Sequence, residues 1–514
     1  MLTAGLGGAT RHACVALSSG DRLLGVCEQE RVTRVRGAGF NHTGLPDEAL
    51  DMLLARVGRS RDDIGRYVVA DDSSDTARHD RLERVNQHYA HACASYLSSP
   101  FASAAVVVCS PDAPGVSVWV GRGATIARVE WPWRGPSLSD VYARCVTAFG
   151  FGPTGGGQRF EALARLRPDS RDEAVNGLMS GDGVSISVAA GLEAAIEARL
   201  SGTSASVRSA LGSPALGSSA LGSPARAGLA AALQARLIDL LIEFLALVRR
   251  TTACEHLCLG GSLFYHSSIN SAAKRSGLFA DVFVPVDPGA GGLAVGAALH
   301  AGGWAPQRTS PFLGPEFAAH EVKATLDNCK LQYTWESEDG AIDAAVQALQ
   351  RGTLVGWFDG AMEWGLRALG ARCILANPFA PYVLENLNGF LKHREPWRGY
   401  ALSGPQAAVG EDFDGPSQAP YMECDFRPRE PGRFSRVLPS PEAAIRVHTV
   451  DQSTPPRFRR LLQAFTAATG VPYLVNTSFS AAHEPIVCTP RDAVRVYYGS
   501  GLDVLVLDRF VLKK

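Results

Sequence analysis

The first 28 residues alternate small and apolar side chains around Gly5, Gly7, Gly8 and Gly20. Alternation with period two marks strands, and the SSGD stretch (18–21) carries turn chemistry, so two strands joined as a hairpin are predicted to open a sheet. Ala49, Leu50, Leu53, Leu54 and Val57 then recur at helical spacing behind Asp47 and Glu48, which predicts a helix over 46–57. A strand is predicted at 67–70, a helical run around His88 and His91, and another strand at 104–109. Strands interleaved with helices in this way define an α/β domain.

The pattern breaks at 201–228, where SGTSASVRSALGSPALGSSALGSPARAG contains near-copies of ALGSP. Such Gly/Ser/Ala/Pro sequence cannot bury a core, and it is expected to be a flexible surface insertion. Beyond it the chain predicts a long helix (229–250), the strand HLCLGG (256–261), and a turn feeding a small-residue helix that must pack closely (285–299). Between 302 and about 340 the composition turns polar and proline-bearing, as at a domain junction. A second α/β unit follows, with strands predicted at 354–358, 472–475 and 504–507. Two domains are therefore expected, at 1–330 and 341–514.

A length of 514 residues is too great for one ordinary core, which agrees with that division. Fifty basic against 51 acidic side chains leave a net charge of -1, which removes any global electrostatic case for nucleic acid or an anionic membrane. Eleven cysteines are scattered with no C-x-x-C pair, and Cys254 and Cys258 beside His256 lack the second ligand pair of a zinc site. They read as thiols of a reducing cytoplasm. No basic-then-apolar signal pattern opens the chain, and the oiliest run (237–248) is too short for a bilayer and carries Asp239 and Glu243. The expected location is cytoplasmic.

Candidate chemistry concentrates in three C-terminal stretches: GAMEWGLRALGARCILA (360–376), LKHREPWRGYA (391–401) and AIRVHTV with LVNTSFS and EPIV (444–487). They supply Arg367, Arg372, Lys392, Arg394, Arg398 and Arg446, with hydroxyls at Thr477 and Ser478. Arginine forks grip phosphate oxygens bidentately and lysine adds a point charge, which is what phosphoryl or adenylyl transfer requires. The competing reading pairs these cations with Glu363, Glu395 and Glu484 at the surface. Their concentration favours a clamp.

These stretches resemble the carbamoyltransferase family that includes the nodulation protein NodU and antibiotic O-carbamoyltransferases. Its members read approximately G-R-M-E-W-G-P-R-A-L-G, K-F-R-E-P-F-R, R-V-Q-T-V and L-L-N-T-S-F-N-x-x-G-E-P-I-V, and SGLDVLVLDRFVL at the end of this chain fits as well. The resemblance implies an α/β fold in two parts. The first is an N-terminal actin/hexokinase-like domain, like that of the tRNA threonylcarbamoyl transferases, and the second a C-terminal YrdC-like domain. It implies that ATP (with Mg2+) and carbamoyl phosphate form carbamoyl adenylate in the second domain. The carbamoyl group then passes to a small-molecule hydroxyl or amine in the first, near a divalent metal. Arg367, Lys392, Arg398, Arg446 and Ser478 stand at the family's positions, with Arg394 and Thr477 beside them. Ala361, Leu366, Ser480 and His483 depart from it.

The N-terminal match is worn. Where the family has H-H-x-x-H-A, this chain has Gln87-His88-Tyr89-Ala90-His91-Ala92, so His91 is the only matched metal ligand. Ser110 replaces the aspartate of T-V-D-G, with Asp112 two positions on, and Ala290 replaces that of G-D-x-G-L-A. Phe160 and Tyr265 stand at Gly-rich phosphate turns and are expected to fill them. The metal set is therefore read as degenerate, with no transfer-site iron or other metal expected, and His12, His88, His91 or Asp112 is the candidate general base. Three readings follow: metal-free carbamoyl transfer, activation alone with a partner protein completing transfer, and a non-catalytic binding or scaffold role. A homodimer remains open, as does the acceptor's identity.

Overall fold

The computed structural model describes the chain except for residues 21, 71–81, 112–113, 209–221 and 303–305, and the side chains of 202–208 and 302. Three main sheets organise it. Strands Leu2–Gly7, Cys14–Ser19 and Arg22–Glu28 form an antiparallel meander, and Ile64–Ala70 and Leu82–Val85 add in parallel on the far side of the first. The expected hairpin is the second and third of these strands. The strand Leu2–Gly7 is an additional one, since Gly8 (φ 74°) breaks the alternation before Cys14.

The second sheet repeats the first. Ser103–Cys109, Val116–Arg122 and Thr125–Val129 form its meander, with His256–Gly260 and Asp281–Phe283 parallel beyond. This duplicated order is the actin/hexokinase-like arrangement that the resemblance implies. Helices Gln87–Leu97 and Ala290–Gly302 cross where the two units meet. A Cβ on Gly296 would stand 1.9 Å from the Ala90 carbonyl oxygen, so only glycine permits this approach. The close packing expected from the small residues of that helix is thus explained.

The third sheet has ten strands between Thr334 and Lys513 and mixes parallel with antiparallel pairs. Its strand Leu474–Ser478 runs further than the 472–475 expected, and carries Thr477 and Ser478 within it. Strands Arg372–Ala376, Ala401–Pro405 and Ile445–Val450 also belong to it.

Residues 201–228 are not wholly the insertion expected. A helix extends over Leu192–Arg208, and another, Pro224–Thr252, begins inside the segment, with the Ser223 side chain accepting from the Arg226 amide and proline in the first turn. Serine capping and a pre-set proline φ start a helix even in small-residue sequence. Residues 209–221 lie outside the described part. No helix among the described residues is long and apolar enough to cross a membrane.

Candidate functional site

The predicted cations fall into two groups, one around Lys392 and one against the N-terminal half. Lys392 follows a wide helical turn, Asn386–Leu391, and its amide bonds back to the Leu387 carbonyl five residues earlier (2.8 Å). That turn aims the buried ammonium at the end of strand Leu474–Ser478. It donates to the carbonyls of Ser478 (2.6 Å) and Ser480 (2.8 Å), with the Ser480 hydroxyl at 3.2 Å and that of Ser478 at 3.4 Å. Burial, and then the neighbouring Arg394, push the Lys392 amine well below its usual range.

Arg394 lies 3.9 Å over the Tyr400 ring and donates to Asn388 Oδ1 (2.8 Å). Arg398 meets Glu395 at 3.8 Å, and burial, with Arg394 next, lowers it to about 9. From the opposite side Arg159, on helix Gly156–Ala164, reaches Glu395 at 3.1 Å.

Arg367 and Arg446 gather separately, against the N-terminal half. Arg367 donates to the Tyr265 carbonyl (3.1 Å). Arg446 lies across the sheet from Asp425, and its Nη1 is buried without a hydrogen-bond partner. Burial and then Arg367 hold it well below the usual guanidinium range. Beside them, Arg165 bonds Asp425 (2.8 Å) and Glu161 (2.7 Å), and the Ser267 hydroxyl bridges to Asp425 (2.8 Å). Burial raises the Glu161 carboxyl, but Arg165, His266 and Arg446 outweigh it and hold the group well below its usual range.

Arg372 and Thr477 stand apart from the residues that meet Lys392. Arg372 is no part of this cluster: it is fully buried, donates to the carbonyls of Asp359, Ala371, Pro315 and Gly360, and lies 3.6 Å over Phe358. It serves the C-terminal core. Thr477 and Ser478 are adjacent on one strand and so point to opposite faces, and it is Ser478 that meets Lys392.

The N-terminal candidates are dispersed. His88 is buried with Nδ1 2.8 Å from the Ser117 hydroxyl. His91 is buried too, its Nδ1 without a hydrogen-bond partner, and burial with His88 lowers it to about 3. His12 is 47% exposed, with Nδ1 4.0 Å from Glu30. Asp112 lies outside the described residues. Ala290 opens its helix with a methyl group that can ligate nothing, and among the described residues no three His, Cys, Asp or Glu side chains gather as metal ligands. The described side chains at this place do not supply the three protein ligands that a catalytic metal takes.

Tyr265 fills its turn as expected. Its hydroxyl donates to Asp287 Oδ1 and accepts from the Ala290 amide (3.2 Å), covering the start of that helix. Phe160 does not fill a phosphate turn: it is buried in the apolar core against Tyr142 and Phe149.

Glu161, Arg165, His266, Asp425 and Ser480 were not singled out as site residues from the sequence. The local signal near them is the pair of bulky residues, Phe160 and Tyr265, at Gly-rich turns, and their partners lie in other parts of the chain.

Fold and site together define a two-part α/β protein with a cation-lined junction. The family model described as Carbamoyltransferase N-terminus matches residues 72–299, and that described as Carbamoyltransferase C-terminus matches 346–514. The chain belongs to the carbamoyltransferase family, of the NodU and cephem O-carbamoyltransferase type. An uncharacterised protein of Synechocystis sp. is 29% identical over 469 residues, 83% of this chain and 75% of that protein. The nodulation protein NolO of Bradyrhizobium diazoefficiens is 32% identical over 55% of this chain and 54% of its own length. The 3'-hydroxymethylcephem-O-carbamoyltransferase of Amycolatopsis lactamdurans is 31% identical over 53% and 52%. Apart from the Synechocystis protein, the chain spans about half the length of these relatives.

Proposed function

We propose that this chain is an ATP-dependent carbamoyltransferase of natural-product biosynthesis, with activation in 341–514 and transfer in 1–330. For the atoms to balance, carbamoyl phosphate gives up phosphate to water. The resulting carbamate attacks the α-phosphorus of ATP and expels pyrophosphate, leaving carbamoyl adenylate. Lys392, Arg394 and Arg398, with Thr477 and Ser478, are one group of residues to hold the phosphate groups, and Arg367 and Arg446 are a second. The supporting observation is a set of buried cations short of counter-ions. Lys392 is coordinated by carbonyls and hydroxyls, and Arg446 Nη1 has no hydrogen-bond partner. An anionic ligand supplies the missing charge, and Mg2+ accompanies the nucleotide.

Transfer to a hydroxyl or amine of a small acceptor proceeds in this reading without the family's metal. Gln87, Ser110 and Ala290 favour a second reading, in which the chain only activates and a partner protein completes transfer. Release of pyrophosphate from ATP that depends on carbamoyl phosphate tests the first step. Consumption of carbamoyl adenylate on addition of acceptors separates the two readings. Absence of both release and nucleotide binding would leave a binding or scaffold protein.

A further inference from the structure

We propose that His266, oriented by Glu161, is the general base that takes the acceptor's proton during carbamoyl transfer, an assignment that rests on the transferase reading above.

His266 is 8% exposed and caps helix Ser267–Arg275. Its ring stacks on Tyr142 with centroids 4.1 Å apart and planes at 29°. Nδ1 lies 3.6 Å from Glu161 Oε2, beyond hydrogen-bond distance, and both atoms are buried with no hydrogen-bond partner. The other oxygen of Glu161 is fully engaged. Oε1 takes Arg165 (2.7 Å), the Ser268 amide (3.1 Å), the Ser268 hydroxyl (3.1 Å) and the Ser267 hydroxyl (3.2 Å). The carboxylate is thus rigid, with one oxygen reserved for the imidazole.

At 3.6 Å the two atoms face each other at ion-pair distance, just beyond a hydrogen bond. Catalytic pairs are commonly long without substrate and tighten when it binds. A carboxylate on Nδ1 fixes the tautomer that leaves the Nε2 lone pair free. Nε2 points toward Gly157, where a Cβ would come within 3.2 Å of it and 2.9 Å of Cε1.

Position adds the second argument. The residue before His266 offers its carbonyl to Arg367, and Glu161 lies within the field of Arg446. His266 therefore stands on the seam between the phosphate clamp and the N-terminal half. None of the other histidine candidates does so with a free orienting carboxylate. His88 is spent on Ser117, His91 is shut inside, and His12 lies at the surface.

In the step, the acceptor oxygen or nitrogen attacks the carbamoyl carbon. The bond from that carbon to the AMP phosphate oxygen breaks, and AMP leaves with the electron pair. The acceptor's proton goes to His266 Nε2, while Nδ1–H to Glu161 steadies the imidazolium. The proton then passes to water.

The test follows the decay of carbamoyl adenylate formed by the full chain from ATP and carbamoyl phosphate. Decay is measured in aqueous glycerol, whose hydroxyls need a base, and with hydroxylamine, whose nitrogen does not. His266→Gln is expected to leave pyrophosphate release and hydroxylamine capture within about twofold, and to slow decay in glycerol and water about 100-fold. Glu161→Gln should slow the same decay less. Equal decay in wild type and His266→Gln overturns the assignment. So does a parallel loss of pyrophosphate release and hydroxylamine capture, which would make His266 a structural member of the junction. Absence of pyrophosphate release in the wild type would instead remove the underlying transferase reading.

Discussion

The Lys392 ammonium lies 2.6 Å from the Ser478 carbonyl oxygen, at the end of the strand that also carries Asn476. Among the described residues, no carboxylate stands within ion-pair distance of it. A buried cation held only by dipoles is costly to keep and gains strongly from an anionic partner. Substitution of Lys392 by alanine should lower carbamoyl-phosphate-dependent pyrophosphate release at least about 100-fold. Release unchanged in Lys392→Ala would remove the clamp assignment.

The pair formed by Arg165 and Asp425 joins the two parts of the chain through buried side chains. Removing the Asp425 charge leaves Arg165 with Glu161 as its one ion-pair partner. Asp425→Asn should cost about 2–3 kcal/mol in urea unfolding. A loss below 1 kcal/mol would mean that water already reaches the pair.

His91 gives a pH dependence whose sign follows from its burial. Its folded value, about 3, lies below the unfolded one, so between roughly pH 6.5 and 3 the unfolded chain binds the extra proton. Stability is complete above pH 6.5 and falls on acidification by about 1.4 kcal/mol per pH unit from this group. His448, lowered to about 4 by burial, acts in the same direction. His91→Gln should flatten the decline in urea midpoint between pH 7 and 4.5. An unchanged slope would show that His91 is not a buried neutral imidazole.

The side chains at the family's metal position predict purified protein without stoichiometric iron. Elemental analysis decides this, and one iron bound per chain would refute it.

Local periodicity was enough to read the helix ending at Thr252 and the buried strand Val504–Leu507, because each is a long or uniformly apolar run. The strand Arg372–Ala376 was harder: its arginine suggested a ligand, whereas it turns inward onto carbonyls. Lys392 and Ser478 were accessible through motif resemblance. Glu161, His266, Asp425 and Arg446 were not legible as a group. Each lies in a different part of the chain, at helix Gly156–Ala164, before helix Ser267–Arg275, and on strands Asp425–Pro428 and Ile445–Val450, and only the tertiary fold joins them. The Ser223 cap shows the reverse failure, since one serine before a proline outweighed a low-complexity composition.

The network of Arg165, Glu161, Ser267 and Asp425 has a consequence for how the molecule comes apart. The C-terminal part contributes only Asp425 to it, so an excised C-terminal fragment would carry a stranded carboxylate on an interface built to be dry. Melting should therefore proceed as one cooperative event in calorimetry, and the two fragments should regain structure when produced together rather than singly.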